Sequence, residues 1–571
     1  MTKASPMPMR QRSGTHVGDA PDLRPLPQSH APLVSSDPSN AVPFDMSILT
    51  ISHRKDVSTL KALIVGGGIG GLAIAIMLEL AGMEYEILER CTDEEEEIGA
   101  GLTIGPPVLR LLDQMGLLDQ IEKISKPASG MTVFDEENRK MGRMEGFSAE
   151  RYGYPYRIMT RPGFRQILIN RVSKNNFHRG KTVVDTFQNP NGVSCKCSDG
   201  STYYGDIIIG ADGAQSLTRE RMFRQLADQM KLSDTDMESS VYEHACLTGL
   251  TDPLDEKLYP SLADESSELK ILYRKDSMCT LWYLPVTGNR IAWGLNRQLA
   301  SPKYRFNEYT GAYCTPPTLL RREGAASNTS IPSAHSIHVM SSAASTISSG
   351  SRPQVSHTVS SSTSSSASSH SKIYDDWRAP APDFEDFREL LDARCAMGVG
   401  TVRDFLSHTP RNQMSRIDLE ERLYKTWYHG RMVLIGDACH PHLVVGGQGA
   451  VQCLLDGVCL VNLLYDMENN SPNEITKAFR RYHAKRSIVA KSSIDETNAM
   501  DKIFHGQGFF AGMMRRLLFN AAWSFDMAND KFNNHRPQLS FLPFVEDRAT
   551  SKANKQKISE RLTRATAAGY R

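Results

Sequence analysis

Residues 61–90 read KALIVGGGIGGLAIAIMLELAGMEYEILER. Ala62-Leu63-Ile64-Val65 is an apolar run suited to a strand buried on both faces. Gly66, Gly68 and Gly71 follow at the spacing G-x-G-x-x-G, and residues 72–80 form a helix-favouring run. A second strand, Tyr85-Glu86-Ile87-Leu88, ends at the acid Glu89. Each part has a physical task. Gly66 admits a tight turn, Gly68 lets backbone approach a pyrophosphate, and Gly71 lets the helix lie close to the strand. The helix start offers free N–H groups and a positive dipole end to phosphate. Glu89 can accept hydrogen bonds from both hydroxyls of a ribose, which favours FAD or NAD over NADP. The glycine spacing alone is weak evidence and fits a packed turn equally well. Strand, helix, strand and terminal acid in register make it a dinucleotide-binding unit.

Two distant segments narrow the choice. Gly205-Asp206-Ile207-Ile208-Ile209-Gly210-Ala211-Asp212-Gly213 is another buried strand, ending in Ala-Asp-Gly. Arg431-Met432-Val433-Leu434-Ile435-Gly436-Asp437 is a third, ending in Gly-Asp, with Gly446-Gly447-Gln448-Gly449-Ala450 following. The set, in this order, resembles the class A flavoprotein monooxygenases, the family of para-hydroxybenzoate hydroxylase. The resemblance implies FAD as cofactor and NAD(P)H as co-substrate. It implies that Asp437 holds the ribityl chain, and that Gly447, Gly449 and Ala450 start a helix aimed at the flavin ring. Asp212 is implied near the pyrophosphate, and Arg161, in Met159-Thr160-Arg161-Pro162, among the FAD contacts. Gly101, in Gly99-Ala100-Gly101, joins the cofactor-binding candidates. Trp427-Tyr428-His429-Gly430-Arg431, Arg536-Pro537-Gln538 and Ser540-Phe541-Leu542-Pro543 are similar to the fungal branch of epoxidases and hydroxylases of secondary metabolism.

The chain departs from the family pattern in three places. Val444 stands where a second proline usually stiffens the loop beside the flavin, and Leu455-Asp456 replaces a Glu-Asp pair. In the epoxidase branch a tyrosine usually sits five residues before the glycine corresponding to Gly249. Here that position is His244, with Tyr242 two residues earlier.

The implied fold is α/β: a discontinuous Rossmann-like FAD-binding domain, an inserted antiparallel-sheet substrate domain and a helical C-terminal region. The reading places a disordered segment at 1–57 and FAD-binding parts at 58–231 and 402–498. The substrate domain spans 232–401, the helical region 499–548 and a solvated basic tail 549–571. Thr287-Gly288-Asn289 between two apolar runs is a hairpin signal. Strand alternation puts Tyr242, His244 and Cys246 on one face. Residues 324–372, with Ser360-Ser361-Ser362-Thr363-Ser364-Ser365-Ser366 at their centre, have little apolar surface to offset ordering entropy and read as a disordered insertion.

The 571 residues can bury a large core, and a formal charge of +1 gives no reason to expect a nucleic-acid partner. Ten cysteines show no metal-ligand spacing, so no metal is expected; Cys195 and Cys197 read as strand packing. Scattered cysteines without a framework fit a reducing, cytoplasmic compartment. No apolar run reaches the roughly 18 residues of a membrane span. Residues 509–525 read as an amphipathic helix, packed on the body or touching a membrane surface.

The function so implied is insertion of one oxygen atom from O2 into an apolar or phenolic small molecule, by hydroxylation or epoxidation, using NAD(P)H. Candidate proton-transfer residues are His244 and its neighbour Tyr242, because imidazole exchanges protons near neutral pH. His440, in His440-Pro441, is a weaker base candidate. The alternatives are an FAD-dependent dehydrogenase or reductase, and a flavin-binding protein without turnover. Trp282-Tyr283-Leu284-Pro285 lacks the second tryptophan of a flavin halogenase motif.

Overall fold

The computed structural model describes residues 60–92, 99–135, 137–144, 149–273, 279–304, 387–394, 400–444, 447–505, 513 and 530–567. In chain order the first six strands are β1 (Lys61–Val65), β2 (Glu84–Leu88), β3 (Gly101–Ile104), β4 (Lys126–Phe134), β5 (Lys140–Met144) and β6 (Arg157–Thr160). The next six are β7 (Phe177–His178), β8 (Val183–Asn189), β9 (Gly192–Cys197), β10 (Thr202–Gly205), β11 (Ile207–Gly210) and β12 (Val241–Leu250). The last six are β13 (Ser267–Tyr273), β14 (Cys279–Val286), β15 (Arg290–Tyr304), β16 (Met414–Leu419), β17 (Tyr428–His429) and β18 (Met432–Leu434).

The first sheet runs β17-β18-β11-β1-β2-β7. Its central strands β18, β11, β1 and β2 are parallel, and Ala62, Leu63 and Ile64 are fully buried, as their continuous apolar run requires. The helices Ile69–Leu80 and Gly449–Tyr465 pack on this sheet's core, with Gly457 of the second meeting Met77 of the first. A separate sheet, β10-β9-β8, buries Cys195 and Cys197 on one face of β9.

The second large sheet has the order β16-β12-β15-β14-β13-β4-β6-β3, with β5 paired to β4. The β14–β15 hairpin forms where the sequence signals it. Gly288 and Asn289 turn it at φ of 78° and 57°, the left-handed region such a turn needs. This sheet draws on more of the chain than 232–401. β3 to β6 enter it from before residue 232, and β16 pairs with β12 from beyond residue 401. The helix Val402–Leu406 likewise packs with its core, through Val402, Phe405 and Leu406.

Among the described residues the C-terminal region combines helices with a docked irregular stretch. The helix Pro472–His505 runs through the start of it, but residues 535–559 are largely irregular and docked. Leu539 exchanges hydrogen bonds with Gln114, and Arg536 is fully buried against Asp547 and Ser551. The basic tail is anchored too. Ser559 is 1 % exposed and donates to Asp466, and Arg564 pairs with Glu468. A solvated tail would leave these groups in water; the buried serine explains why this one is held. The expected segments 1–57 and 324–372, and the helix at 509–525 apart from Met513, lie outside the described residues. No helix of the described residues is long and apolar enough to cross a membrane.

Candidate functional site

β1, β11 and β18 lie side by side in parallel, with Val65 beside Gly210 and Gly210 beside Leu434. Their carboxyl ends therefore bring the three sequence motifs to one edge, which is where open parallel sheets bind ligands. Backbone hydrogen bonds tie the loops together. Gly66 N–H donates to Leu88, Ala211 N–H to Val65, and Ile435 N–H to Gly210. Gly66 has a φ of 102°, and a Cβ there would lie 2.5 Å from the Ala211 carbonyl oxygen. A Cβ on Gly71 would strike the Gly66 carbonyl, so helix and turn meet without side chains between them. A Cβ on Gly68, Gly213 or Gly447 would meet nothing within 4 Å. These three backbones line open space.

Glu89 closes the first loop. Its Oε2 accepts the Gly67 N–H at 2.6 Å and its Oε1 the Cys91 N–H at 2.8 Å. Each oxygen keeps a second lone pair free for a ribose hydroxyl. Arg161 begins the helix Arg161–Arg171, its N–H held by the Ala100 carbonyl. One turn on, Arg165 donates from Nε to the Gly67 carbonyl at 2.9 Å. Asp437 is exposed to solvent, yet burial is the largest influence on it and raises its pKa; His440 and Arg161 oppose that rise. It therefore lines a cleft walled by protein. A Cβ on Gly449 would sit 3.5 Å from Asp437 Oδ1, which places the carboxylate at the start of the helix Gly449–Tyr465. Open glycine surfaces, a helix N-terminus, a ribose-competent acid and a cleft-lining carboxylate fit FAD.

A sequence family described as "FAD binding domain" matches residues 59–287 and 346–497. The chain belongs to this family of flavoproteins. It is 23 % identical over 501 residues to the FAD-dependent monooxygenase atmM of Aspergillus flavus, covering 86 % of this chain and 88 % of that one. It is 26 % identical over 463 residues to the FAD-dependent monooxygenase ausM of Penicillium brasilianum, covering 79 % and 80 %. Its fold matches Klebsiella pneumoniae HpxO complexed with FAD and uric acid, with a TM-score of 0.55 at 18 % identity over 83 % of this chain and 95 % of that one.

The remaining candidate residues of this flavoprotein are held as follows. Asp212 turns its carboxylate into its own loop. It accepts from the hydroxyl of Ser216, the N-cap of the helix Leu217–Asp228, at 2.5 Å and from Thr218 N–H in that helix's first turn at 2.9 Å. Gly101 opens β3 at the end of the second sheet, and a Cβ there would meet Leu284 of β14 at 2.7 Å and Ala292 of β15 at 2.9 Å. Ala450 lies in the first turn of the helix Gly449–Tyr465, and Val444 accepts the Gly447 N–H at 2.9 Å, a backbone bond that closes the loop. Gly446 lies outside the described residues.

His440 is fully buried and cannot meet substrate as drawn from sequence. Its Nε2 lies 2.6 Å from Asp456 Oδ2, and Asp456 Oδ1 accepts from Arg486 Nε at 2.7 Å. The same Oδ2 accepts the Gly436 N–H at 2.9 Å, where the backbone turns through a φ of 59°. Burial would raise the Asp456 pKa, but His440 and Arg486 outweigh it and hold it at about 2. Asp456 thus clamps the turn that presents Asp437. Cys439, His440 and Asp456 place ligand atoms within 4.8 Å of one another. Arg486 already supplies the positive charge there, so the cluster is an ion-pair network. Arg486 and Arg165 escaped the sequence reading. Arg165 had one usable signal: it lies four residues after Arg161 on a helix, on the same face.

On β12, His244 and Cys246 keep one unbroken register, opposite Gln298 and Asn296. Between Tyr242 and His244 the pairing slips, from Lys303 to Gln298. The extra residues of this irregularity lie on β15, while β12 itself runs unbroken from Val241 to Leu250.

Proposed function

We propose that this flavoprotein inserts one oxygen atom from O2 into an apolar or phenolic small molecule, by hydroxylation or epoxidation, with NAD(P)H as reductant. The observation that carries the proposal is the contact at Gly101. There β14 and β15, through Leu284 and Ala292, meet the start of β3, whose preceding residue Ala100 accepts the Arg161 N–H. A molecule held on that face would lie beside bound FAD. Bound FAD would supply the redox chemistry with NAD(P)H and O2.

The chain's own residues do the rest. Glu89, Arg161 and Asp437 would hold the ribose, the pyrophosphate side and the ribityl chain. The N–H groups at the start of the helix Gly449–Tyr465 would stabilise negative charge on the ring. His244 would exchange a proton with an epoxide oxygen or a phenol, with Tyr242 as its neighbour. The test is a screen of candidate metabolites for stimulated NAD(P)H oxidation, oxygen uptake and a product heavier by one oxygen. Oxidation that proceeds equally without O2 would point to a dehydrogenase or reductase. Tight FAD binding with no stimulated oxidation by any candidate would point to a protein without turnover.

A further inference from the structure

Two tryptophans lie flat over glycines on opposite faces of the nine-stranded sheet. Trp293 stands opposite Gly249, and a Cβ on Gly249 would strike its ring. Trp282 stands opposite Gly294, and a Cβ on Gly294 would strike its ring. Trp293 belongs to the outer face, packed with Leu247, Leu281 and Phe405. Its indole N–H is satisfied by the Thr409 hydroxyl at 2.9 Å. Trp282 belongs to the inner face, with Leu284, Ala292 and Ala100. Its Nε1 is buried and has no hydrogen-bond partner.

A second orphan sits diagonally beside it. Asn296 is two residues beyond Gly294 on β15, so it shares the inner face with Trp282. It is 4 % exposed, and its Oδ1 has no partner either. Diagonal neighbours of this kind have side-chain origins about 7–8 Å apart, within reach of one shared polar group. One atom is an obligate donor and the other an acceptor. Leaving either unpaired in the folded state costs about 1–3 kcal/mol. Around them the same face carries two buried threonines, Thr280 opposite Asn296 and Thr248 opposite Gly294, and is apolar beyond these. Ile271 is the cross-strand neighbour of Trp282, Val133 lies beyond it, and Ile417 stands opposite Cys246, 46 % exposed. Gly101 fixes the cofactor-side end of this face, so the pair is set back along the sheet from the cleft.

We propose that Trp282 Nε1 and Asn296 Oδ1 together bind a hydroxyl group carried by an otherwise apolar substrate. The hydroxyl oxygen accepts from the indole N–H, and its proton is donated to the amide oxygen. The pair selects substrates and holds them in register with the cofactor. This rests on the monooxygenase reading for its purpose, but not for its test.

The test titrates the FAD-loaded protein with 2-naphthol and with 2-methylnaphthalene, where a methyl group replaces the hydroxyl at similar size. Binding is read from the flavin absorbance. The parent should prefer 2-naphthol by about ten- to hundredfold, because a site with unpaired polar groups rejects the analogue that cannot pair them. Trp282→Phe and Asn296→Leu should each remove most of that preference by weakening 2-naphthol alone. Both should keep full flavin content, and Asn296→Leu, which deletes a buried orphan at nearly constant volume, should leave Tm unchanged or raised. Trp293→Phe is the control: it should lower Tm and leave the preference intact. Equal affinity for the two probes in the parent, or no binding of either, overturns the proposal. So does a Trp282→Phe variant that still prefers 2-naphthol. A protein that selects 2-naphthol yet takes up no oxygen with any candidate substrate overturns the monooxygenase reading and leaves the hydroxyl site standing. A turning-over enzyme that ignores the hydroxyl does the reverse.

Discussion

Around the carboxyl ends of β1, β2, β11 and β18 three carboxylates are tied into the protein. Glu89 has two N–H partners, Asp212 accepts from Ser216 and Thr218, and Asp456 holds an arginine, a histidine and a backbone N–H. On the inner face of the nine-stranded sheet, Trp282 and Asn296 keep polar atoms unpaired. The difference follows from what each region must recognise. A dinucleotide is always the same molecule, so backbone turns and fixed charges can be built to its shape. A substrate pocket works through individual side chains on a rigid sheet, and its unpaired atoms mark what the ligand must bring. If that contrast holds, damage to the first region should cost stability and flavin, and damage to the second should cost selectivity.

The largest expected effect tests the clamp behind the loops. Arg486→Leu leaves Asp456 buried without its cationic partner. Breaking one side of a buried pair typically costs about 3–5 kcal/mol. The expected outcome is a steep fall in Tm, with flavin lost on unfolding rather than before it. A variant as stable as the parent would show that His440 and the Gly436 N–H alone satisfy Asp456.

Asp437→Ala comes next. It removes a carboxylate proposed to hold the ribityl chain, and a charged hydrogen bond is worth about 1.5–3 kcal/mol. FAD affinity should weaken by about ten- to a hundredfold or more, and the protein should purify flavin-poor. Asp437 faces a cleft, so Tm of the flavin-free protein should barely move. Full flavin retention would remove Asp437 from the cofactor site.

These two variants also mark what the sequence made legible. Gly66, Gly71 and Glu89 were readable because their constraint is local: a turn, a close approach and a strand end within one βαβ unit. Asp437 was readable because it ends a buried strand in a fixed dipeptide. Arg486 was not, because its partner Asp456 lies thirty positions away and only the packing of two long helices joins them. The boundaries of the second sheet were hidden for a similar reason. β4 pairs in parallel with β13, so the pairing cannot be inferred from a local turn. Alternation did group His244 with Cys246, but no periodicity tells which face meets the cofactor.

A smaller effect concerns pH. His442 is buried, and burial pushes its pKa down to about 3. The unfolded chain, with a histidine pKa near 6.5, therefore binds the proton first. Stability from this residue is complete above about pH 6.5 and drains as pH falls toward 3. One unit below 6.5 the loss is about 1.4 kcal/mol. His442→Phe should flatten the slope of stability against pH between about 6.5 and 4 by close to one proton equivalent. His429, His483 and His535 are also held below their ordinary values by burial, so part of the slope should remain. Denaturant midpoints measured across that range would check it, and an unchanged slope would show that His442 is charged in the folded protein.

The smallest effect on stability should come from His244→Ala, and it bears most directly on the contrast. His244 is half-buried on the face that carries Cys246 and Asn296, at the far end from Gly101. If it exchanges a proton with substrate, its loss should leave flavin content and Tm near those of the parent. Substrate-dependent turnover should fall, and more NAD(P)H should end as hydrogen peroxide. A histidine that only packs predicts the opposite pattern, a lower Tm with coupling unchanged. Peroxide formed per NAD(P)H, measured beside thermal stability, separates the two. His244→Gln adds a finer division, because glutamine keeps hydrogen bonding but cannot exchange a proton near neutral pH. If glutamine restores coupling, His244 positions the substrate. If neither variant restores it, the proton itself is what the inner face contributes.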